Sequence, residues 1–252
     1  MKIVRTVAGL RDARPREGSV GLVPTMGALH AGHSALFEAA RAECDCVVGS
    51  LFVNEAQFNS QEDFARYPRD EERDAQIARD ARVDILFAPT DDELYPADFR
   101  TWVEPNERGL EAEFRPGHFR AVATICVKLF NIVRPQRAYF GQKDAQQVEV
   151  VRRTLRDLNL DVELRVVPTV RDADGLALSS RNALLTPAER ERALALPRAL
   201  HTRDPIRARE LLDGLDVDYV EIAEFEPKAL VAAIRVGTIR LIDNVPLEGE
   251  AP

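Results

Sequence analysis

The run Cys46-Val47-Val48-Gly49-Ser50-Leu51-Phe52-Val53 is almost continuously apolar over the length of one strand. A strand with one solvated face alternates polar and apolar residues. An unbroken run demands cover on both faces, the condition of a central strand in a parallel sheet. Val20-Gly21-Leu22-Val23 is a second such run, and between the two, residues 33–43 place Leu36, Ala39 and Ala40 at the spacing of an amphipathic helix. Strand, helix and strand in this order make a βαβ unit with a right-handed crossover.

The alternation continues along the chain. Residues 69–82 read as a charged helix with Ala75, Ile77, Ala78 and Ala81 inward, and residues 83–89 as a buried strand closed by Pro89. Residues 121–132 form a strongly apolar helix, 137–141 a strand, 143–159 a helix and 162–167 a further strand, with residues 2–7 a short strand at the start. Residues 54–68 and 91–117 are irregular, with an edge strand at 100–104. This pattern predicts a Rossmann-like, doubly wound parallel α/β domain over residues 1–169. Beyond it the texture changes. A turn-rich segment at 171–182 precedes a helix over 187–200, capped by Thr186 with Glu189 three residues on. Another helix runs from Asp204-Pro205 through Leu212. Two strands, 217–223 and 238–244, are separated by a short helix around 228–231. Residues 170–252 are therefore expected to form a smaller α+β domain.

The chain has 252 residues, enough for a sizeable core, and its 45% hydrophobic and 30% charged residues are those of an ordinary globular protein. A net charge of −8 argues against non-specific binding to nucleic acid or anionic membranes, and leaves room for a local basic pocket. Cys44 and Cys46 are too close for an unstrained disulfide, so reduced, buried thiols are expected. With neither an apolar leader nor a run of about 18 apolar residues, the expected compartment is the cytoplasm.

In open α/β sheets ligands sit beyond the carboxyl ends of the strands. After residues 20–23 comes Pro24-Thr25-Met26-Gly27-Ala28-Leu29-His30-Ala31-Gly32-His33, which contains two of the chain's four histidines. Backbone N–H groups at a helix start carry partial positive charge and favour an anion, and two imidazoles three residues apart share one side of a helical turn. A tight turn with two solvated histidines fits the same pattern. Metal ligation fits less well, because zinc usually takes three or four protein ligands and no Cys or His partner lies nearby. The second strand is followed by Asn54-Glu55-Ala56-Gln57, with an amide at each end of a turn. The fourth leads into Gly141-Gln142-Lys143-Asp144, where a lysine at a helix start is disfavoured unless an anion holds it. The fifth is followed by Pro168-Thr169-Val170 and then Ser179-Ser180-Arg181. Together the four clusters read as a nucleotide phosphate site with amides beside it for a small polar substrate.

Six motifs in order resemble one family. They are Pro24-Thr25-Met26-Gly27-Ala28-Leu29-His30-x-Gly32-His33, Phe52-Val53-Asn54-x-x-Gln57-Phe58, Tyr67-Pro68-Arg69, Arg115-Pro116-Gly117-His118-Phe119, Tyr139-Phe140-Gly141-x-Lys143-Asp144-x-Gln146-Gln147 and Asp174-Gly175-Leu176-Ala177-Leu178-Ser179-Ser180-Arg181-Asn182. The chain resembles the pantothenate synthetase (pantoate–β-alanine ligase) family of His-x-Gly-His nucleotidyltransferases from about Val20 to Leu185, and again at Arg240-Leu241-Ile242-Asp243-Asn244. The resemblance implies a two-step reaction in which pantoate is adenylated by ATP and β-alanine then displaces AMP. It implies that His30, His33, Lys143, Ser179, Ser180 and Arg181 act on the phosphates. Gln57 and Gln147 would bind pantoate, Met26 its methyl groups, and Asn54 would face the reacting phosphate region. Gly141 and Asp144 would contact the ribose, and Pro24, Thr25 and Val170 would border the nucleotide. Mg²⁺ would enter with ATP through phosphate oxygens and water, with Asp74 in its outer shell. A homodimer through the first domain, with the second domain as a lid, is likewise implied.

The chain departs from the family at Glu55, where proline is usual, and at Gln142, where glutamate is usual. Its second domain also reads as shorter. The competing expectations are another nucleotidyltransferase of the same superfamily and a non-catalytic nucleotide-binding module. A class I tRNA synthetase fits poorly, since the chain is short, acidic and lacks a tRNA-binding appendage.

Overall fold

The structure, a computed structural model, describes residues 1–247; the last positions of the expected second domain, 248–252, lie outside the described residues. The chain divides into two compact units: Met1–Phe140 with Val150–Val167, and Gly141–Glu149 with the chain from Pro168 onward. The alternating pattern predicts a first domain unbroken to residue 169. Residues 141–149 instead group with the second unit, where the turn Gln142–Asp144 is hydrogen-bonded to Asn244.

The first unit carries six strands: β1 (Lys2–Val4), β2 (Val20–Thr25), β3 (Cys46–Leu51), β4 (Ile85–Phe87), β5 (Arg137–Gly141) and β6 (Glu163–Val167). Their order is β1-β4-β3-β2-β5-β6, with parallel pairing in β1–β4, β4–β3, β3–β2 and β2–β5. This is the doubly wound sheet that the alternating pattern predicts. From β2 the chain steps to β3 and β4 on one side, while β5 and β6 lie on the other. The order therefore reverses between β2 and β5, the place where sheets of this kind leave a crevice outside the strand ends.

The β2 and β3 runs are apolar on both faces because both faces are covered: Val20 to Val23 and Cys46 to Ser50 are all buried. Helix Ala31–Glu43 lays Leu36, Phe37 and Ala40 into the core with Val23, Val47, Ala75, Ala78 and Leu86. Phe37 is fully buried, and its truncation to alanine would cost about 3–5 kcal/mol. The edge strand expected at 100–104 does not form. The Val103 N–H donates to Thr124 Oγ1 at 3.0 Å, and Trp102 packs on Phe99 and beneath the Arg120 guanidinium. Local side-chain contacts took the place of a ladder.

The second unit holds an antiparallel sheet ordered β7-β8-β9: β7 (Asp216–Ala223), β8 (Ala229–Val236) and β9 (Ile239–Pro246). Helices Pro187–Ala193, Ala195–Leu200 and Pro205–Leu211 share its core, in which Leu196, Leu200, Ala208 and Leu212 meet Leu230, Ala232, Ile234 and Leu241. The helix expected around residues 228–231 is instead the start of the central strand. An alanine-rich apolar run does not separate buried helix from buried strand by periodicity. Pairing on both edges decided for strand, and Gly237 at φ 60° supplies the tight turn into β9. The single helix expected over 187–200 is two, broken at Leu194.

Candidate active site

In the first unit the segment after β2 is shaped by its backbone. Gly27 has φ +86°, and a Cβ there would meet Leu51 Cδ1 at 2.8 Å and Asp74 Oδ2 at 2.9 Å, so only glycine fits. Ala28 is also left-handed, at φ 51°. This strained turn aims two amides at one carboxylate: Asp74 accepts from Ala28 N at 2.9 Å and from Leu29 N at 2.8 Å. Asp74 is 1% exposed, and hydrogen bonds to a charged group contribute about 1.5–3 kcal/mol each. Asp74, expected in the outer shell of Mg²⁺, thus has a structural task that its sequence position did not announce. Its oxygens hold the histidine loop. Among the described residues no cluster of three His, Cys, Asp or Glu is placed to hold a metal ion.

His30 is the N-cap of helix Ala31–Glu43, and His33 is its third residue. The Gly32 N–H donates to His30 Nδ1 at 3.1 Å, and the His30 N–H donates to His33 Nδ1 at 3.2 Å, a capping box made of two imidazoles. The His33 and Ser34 N–H groups donate to the His30 carbonyl. The backbone amides of His30, Gly32, His33 and Ser34, expected to bind an anion, are therefore engaged within the turn. Each imidazole Nδ1 is an acceptor, so in the neutral ring the proton sits on Nε2. The ring centres lie 4.2 Å apart. Two neighbouring N–H donors of fixed tautomer result. Thr25 and Met26 lead into this turn, with Thr25 Oγ1 donating to the Ser50 carbonyl at 2.6 Å and Met26 half-buried, as is Pro24 in β2.

Beyond β3, Asn54 Nδ2 donates to Gln57 Oε1 at 3.0 Å. Both side chains are buried, and Asn54 Oδ1 has no donor. The Gln57 carbonyl accepts from His118 Nδ1 at 3.0 Å and from Arg115 Nη2 at 3.2 Å, which gives the Arg115–Phe119 motif a structural task. Nothing in the motif's own residues announces that role. Glu55, at the usual proline position, is exposed and accepts from Gln61 Nε2 at 2.7 Å. Its charge is spent on the surface.

In the second unit, the Gln142–Asp144 turn precedes helix Ala145–Asp157. The Lys143 ammonium lies 3.3 Å from Asp144 Oδ1, with the lysine side chain 19% exposed. Gln146 is buried and Gln147 half-buried on the helix that follows. Val170 begins a hairpin closed by the Arg171–Ala177 bridge and by the Leu178 N–H donating to the Val170 carbonyl at 2.9 Å. Arg190 grips both arms of its turn through Asp172 at 2.6 Å and Asp174 at 2.7 Å. The hairpin delivers Ser179, the N-cap of a 3-10 turn over Ser180–Leu184, whose hydroxyl accepts from Arg181 N at 3.3 Å. The Ser-Ser-Arg segment is thus both a cap and a presenting turn. Lys143, Asp144 and Gln147 sit on one turn and its helix, and Ser179, Ser180 and Arg181 on another. His30, His33, Asn54 and Gln57 belong to the first unit.

A family model described as pantoate-β-alanine ligase matches residues 2–246. The pantothenate synthetase of Moorella thermoacetica is 48% identical over 280 aligned positions, covering 98% of this chain and 99% of that protein. Since 280 positions exceed this chain's 252 residues, the relative carries internal segments missing here. The pantothenate synthetase of Thermus thermophilus superposes with a TM-score of 0.92 at 46% identity, covering 98% and 99% of the two chains. The pantoate–β-alanine ligase of Francisella tularensis, complexed with beta-gamma ATP and β-alanine, superposes with a TM-score of 0.87 at 33% identity over 98% and 97%. With six motifs in order, the doubly wound sheet and these likenesses over nearly its whole length, the chain belongs to the pantoate–β-alanine ligase family.

Proposed function

We propose that the chain condenses pantoate with β-alanine at the expense of ATP through a pantoyl adenylate. In the first step a pantoate carboxylate oxygen attacks the α-phosphorus, the bond to the bridging oxygen breaks, and pyrophosphate leaves. In the second the neutral amine of β-alanine attacks the acyl carbon, the carbon–oxygen bond to AMP breaks, and the amine gives up a proton. In-line attack at phosphorus asks little covalent help of a protein beyond positioning and neutralisation of charge.

The observation that carries this reading is the imidazole capping box, which directs two Nε2–H donors of fixed tautomer from the end of β2. His30 and His33 donate to ATP phosphates, and Lys143, Ser179, Ser180 and Arg181 neutralise and bind the same groups. Asn54 Oδ1, a buried acceptor without a donor, suits a pantoate hydroxyl or the β-alanine ammonium. Gln57 and Gln147 bind pantoate through carboxamides that add no repelling charge, with Met26 against its methyl groups. Pro24, Thr25, Gly141, Asp144 and Val170 border the nucleoside. Mg²⁺ brought in with ATP would be held by phosphate oxygens and water and would supply further charge neutralisation at the phosphates. The three cysteines are free and buried, and no described helix is long and apolar enough to cross a membrane. Cytoplasmic residence fits these thiols, and a homodimer through the first domain completes the proposal.

The deciding assay is isotope exchange between pyrophosphate and ATP. Exchange that requires pantoate, with AMP released only once β-alanine is added, is the expected result. ATP binding without pantoate-dependent exchange would overturn the reading in favour of a nucleotide-binding module.

A further inference from the structure

The motif Arg240–Asn244 lies on β9 and is assigned no part in the chemistry above, and two of its side chains are nearly inaccessible: Asp243 and Asn244 are each 3% exposed. Successive residues of a strand point to opposite faces, so this dipeptide reaches two different segments. Asn244 Nδ2 donates to the Gln142 carbonyl at 2.8 Å and to the Lys143 carbonyl at 2.9 Å, while its Oδ1 accepts from Gln142 Nε2 at 3.1 Å. Both amide hydrogens and the carbonyl are used, all on the turn that carries Lys143. Asp243 pairs with Arg171 through two bonds, Oδ2 to Nη1 at 2.6 Å and Oδ1 to Nη2 at 3.1 Å, and its Oδ1 also accepts the Asn244 N–H at 2.8 Å. Arg171 in turn donates to the Gly175 carbonyl at 3.2 Å, across the hairpin that leads into Ser179-Ser180-Arg181.

We infer that Asp243 and Asn244 are positioning residues that fix, from one strand, the two segments bearing the phosphate-directed cations Lys143 and Arg181. The inference rests on the proposed roles of those two cations. It also assigns a purpose to Gln142. A glutamate at this position has no N–H to give Asn244 Oδ1, whereas the carboxamide locks the Asn244 amide in the orientation that serves both backbone carbonyls. A buried asparagine that loses any of these partners has no water to replace them.

The test is a double-mutant cycle on the full-length chain, read by pantoate-dependent ATP–pyrophosphate exchange. Asn244→Ala is expected to lower kcat for exchange by about 10²-fold, the order a displacement of 1 Å costs at a reacting centre. KM for pantoate is expected to stay within about twofold, since uniform binding is untouched. In a Lys143→Ala background the same substitution should add less than about threefold, because a residue that acts through Lys143 has nothing left to position. Asp243→Asn and Arg181→Ala form the matching second cycle. Gln142→Ala, at a half-exposed side chain, supplies a milder break in the same network should Asn244→Ala fail to fold; its loss must also vanish in the Lys143→Ala background. Equal losses in both backgrounds, or wild-type exchange in the Asn244 and Gln142 variants, would overturn the inference. Absence of exchange in the wild-type chain, or full exchange in Lys143→Ala, would instead overturn the functional reading beneath it.

Discussion

The Nδ1 atom of His33 accepts the backbone N–H of His30 at 3.2 Å, so the two histidines are wired to one another before any ligand arrives. This bond separates two tasks within one ring. Nδ1 caps a helix, and Nε2 carries the proton proposed to face a phosphate.

Substitutions at His33 can divide the tasks. Asparagine places its amide oxygen near the Nδ1 position and keeps the cap, while glutamine reaches toward the Nε2 position and loses it. His33→Asn is expected to lower pantoate-dependent exchange by ~10²–10³-fold, the usual cost of one preorganised donor, whereas His33→Gln, which keeps an amide donor near the Nε2 position, should lose less. Only His33→Gln should also lose stability, by about 0.5–2 kcal/mol in urea unfolding, the range for a missing cap. Wild-type exchange in His33→Asn would remove His33 from the chemistry.

Asp74→Asn turns one acceptor into a donor facing a buried amide. Leaving that N–H unsatisfied is expected to cost about 1–3 kcal/mol. Because Gly27, Ala28 and His30 follow from the same loop, exchange should fall as well. The Mg²⁺ concentration that gives half-maximal exchange should not move, since both carboxylate oxygens are committed to Ala28 and Leu29. A raised Mg²⁺ requirement would return Asp74 to the metal's surroundings.

Glu55→Pro is expected to stabilise the chain. Glu55 is the first residue of a 3-10 turn, where φ is close to that of proline and no intrahelical N–H partner is needed. Asn54 before it, at φ −79° and ψ 103°, already has the extended conformation a following proline demands. The gain should be about 0.4–1 kcal/mol from reduced unfolded-state entropy, at the loss of one exposed bond to Gln61. A drop in the urea midpoint would show that the Glu55–Gln61 bond matters more than the backbone.

Glu43 makes an acid-sensitive contact. The Arg165 guanidinium and the Tyr139 hydroxyl both donate to its carboxylate and hold its pKa below the ordinary value. A depressed folded pKa means that its contribution is complete above the unfolded value of about 4.3 and is lost as pH falls through the lower folded value. Stability should thus be flat with respect to this residue near neutrality and decline in acid. Glu43→Gln is expected to flatten that acid arm when urea midpoints are compared from pH 6 downward. An unchanged slope would place the acid sensitivity elsewhere.

The parallel sheet was legible because burial on both faces makes Val20–Val23 in β2 and Cys46–Gly49 in β3 apolar throughout, and short, β-branched runs alternating with helical segments favour strands. The pair His30 and His33 was legible as an anion-site candidate, yet the hydrogen bonds that orient the two rings were not. Sequence spacing pointed to backbone amides at the helix start, whereas those of His30, Gly32, His33 and Ser34 are bonded to the two histidines and those of Ala28 and Leu29 to Asp74. Nothing local to Asp74 marks a residue that braces a loop 45 positions away.

By itself, then, the sequence determined the alternation of elements, the strand ends that carry polar groups and the family to which the chain belongs. Those properties are encoded in neighbouring residues, through period, capping and turn chemistry. Tertiary structure alone decided that residues 229–236 form the central strand of the second sheet, since an apolar alanine-rich run becomes a strand only when β7 and β9 pair with it. It also decided that Asp74, Asp243 and Asn244 hold the segments bearing the proposed chemistry. A buried carboxylate or carboxamide takes its role from whichever backbone amides and carbonyls the fold brings within 3 Å, and chain position does not reveal them.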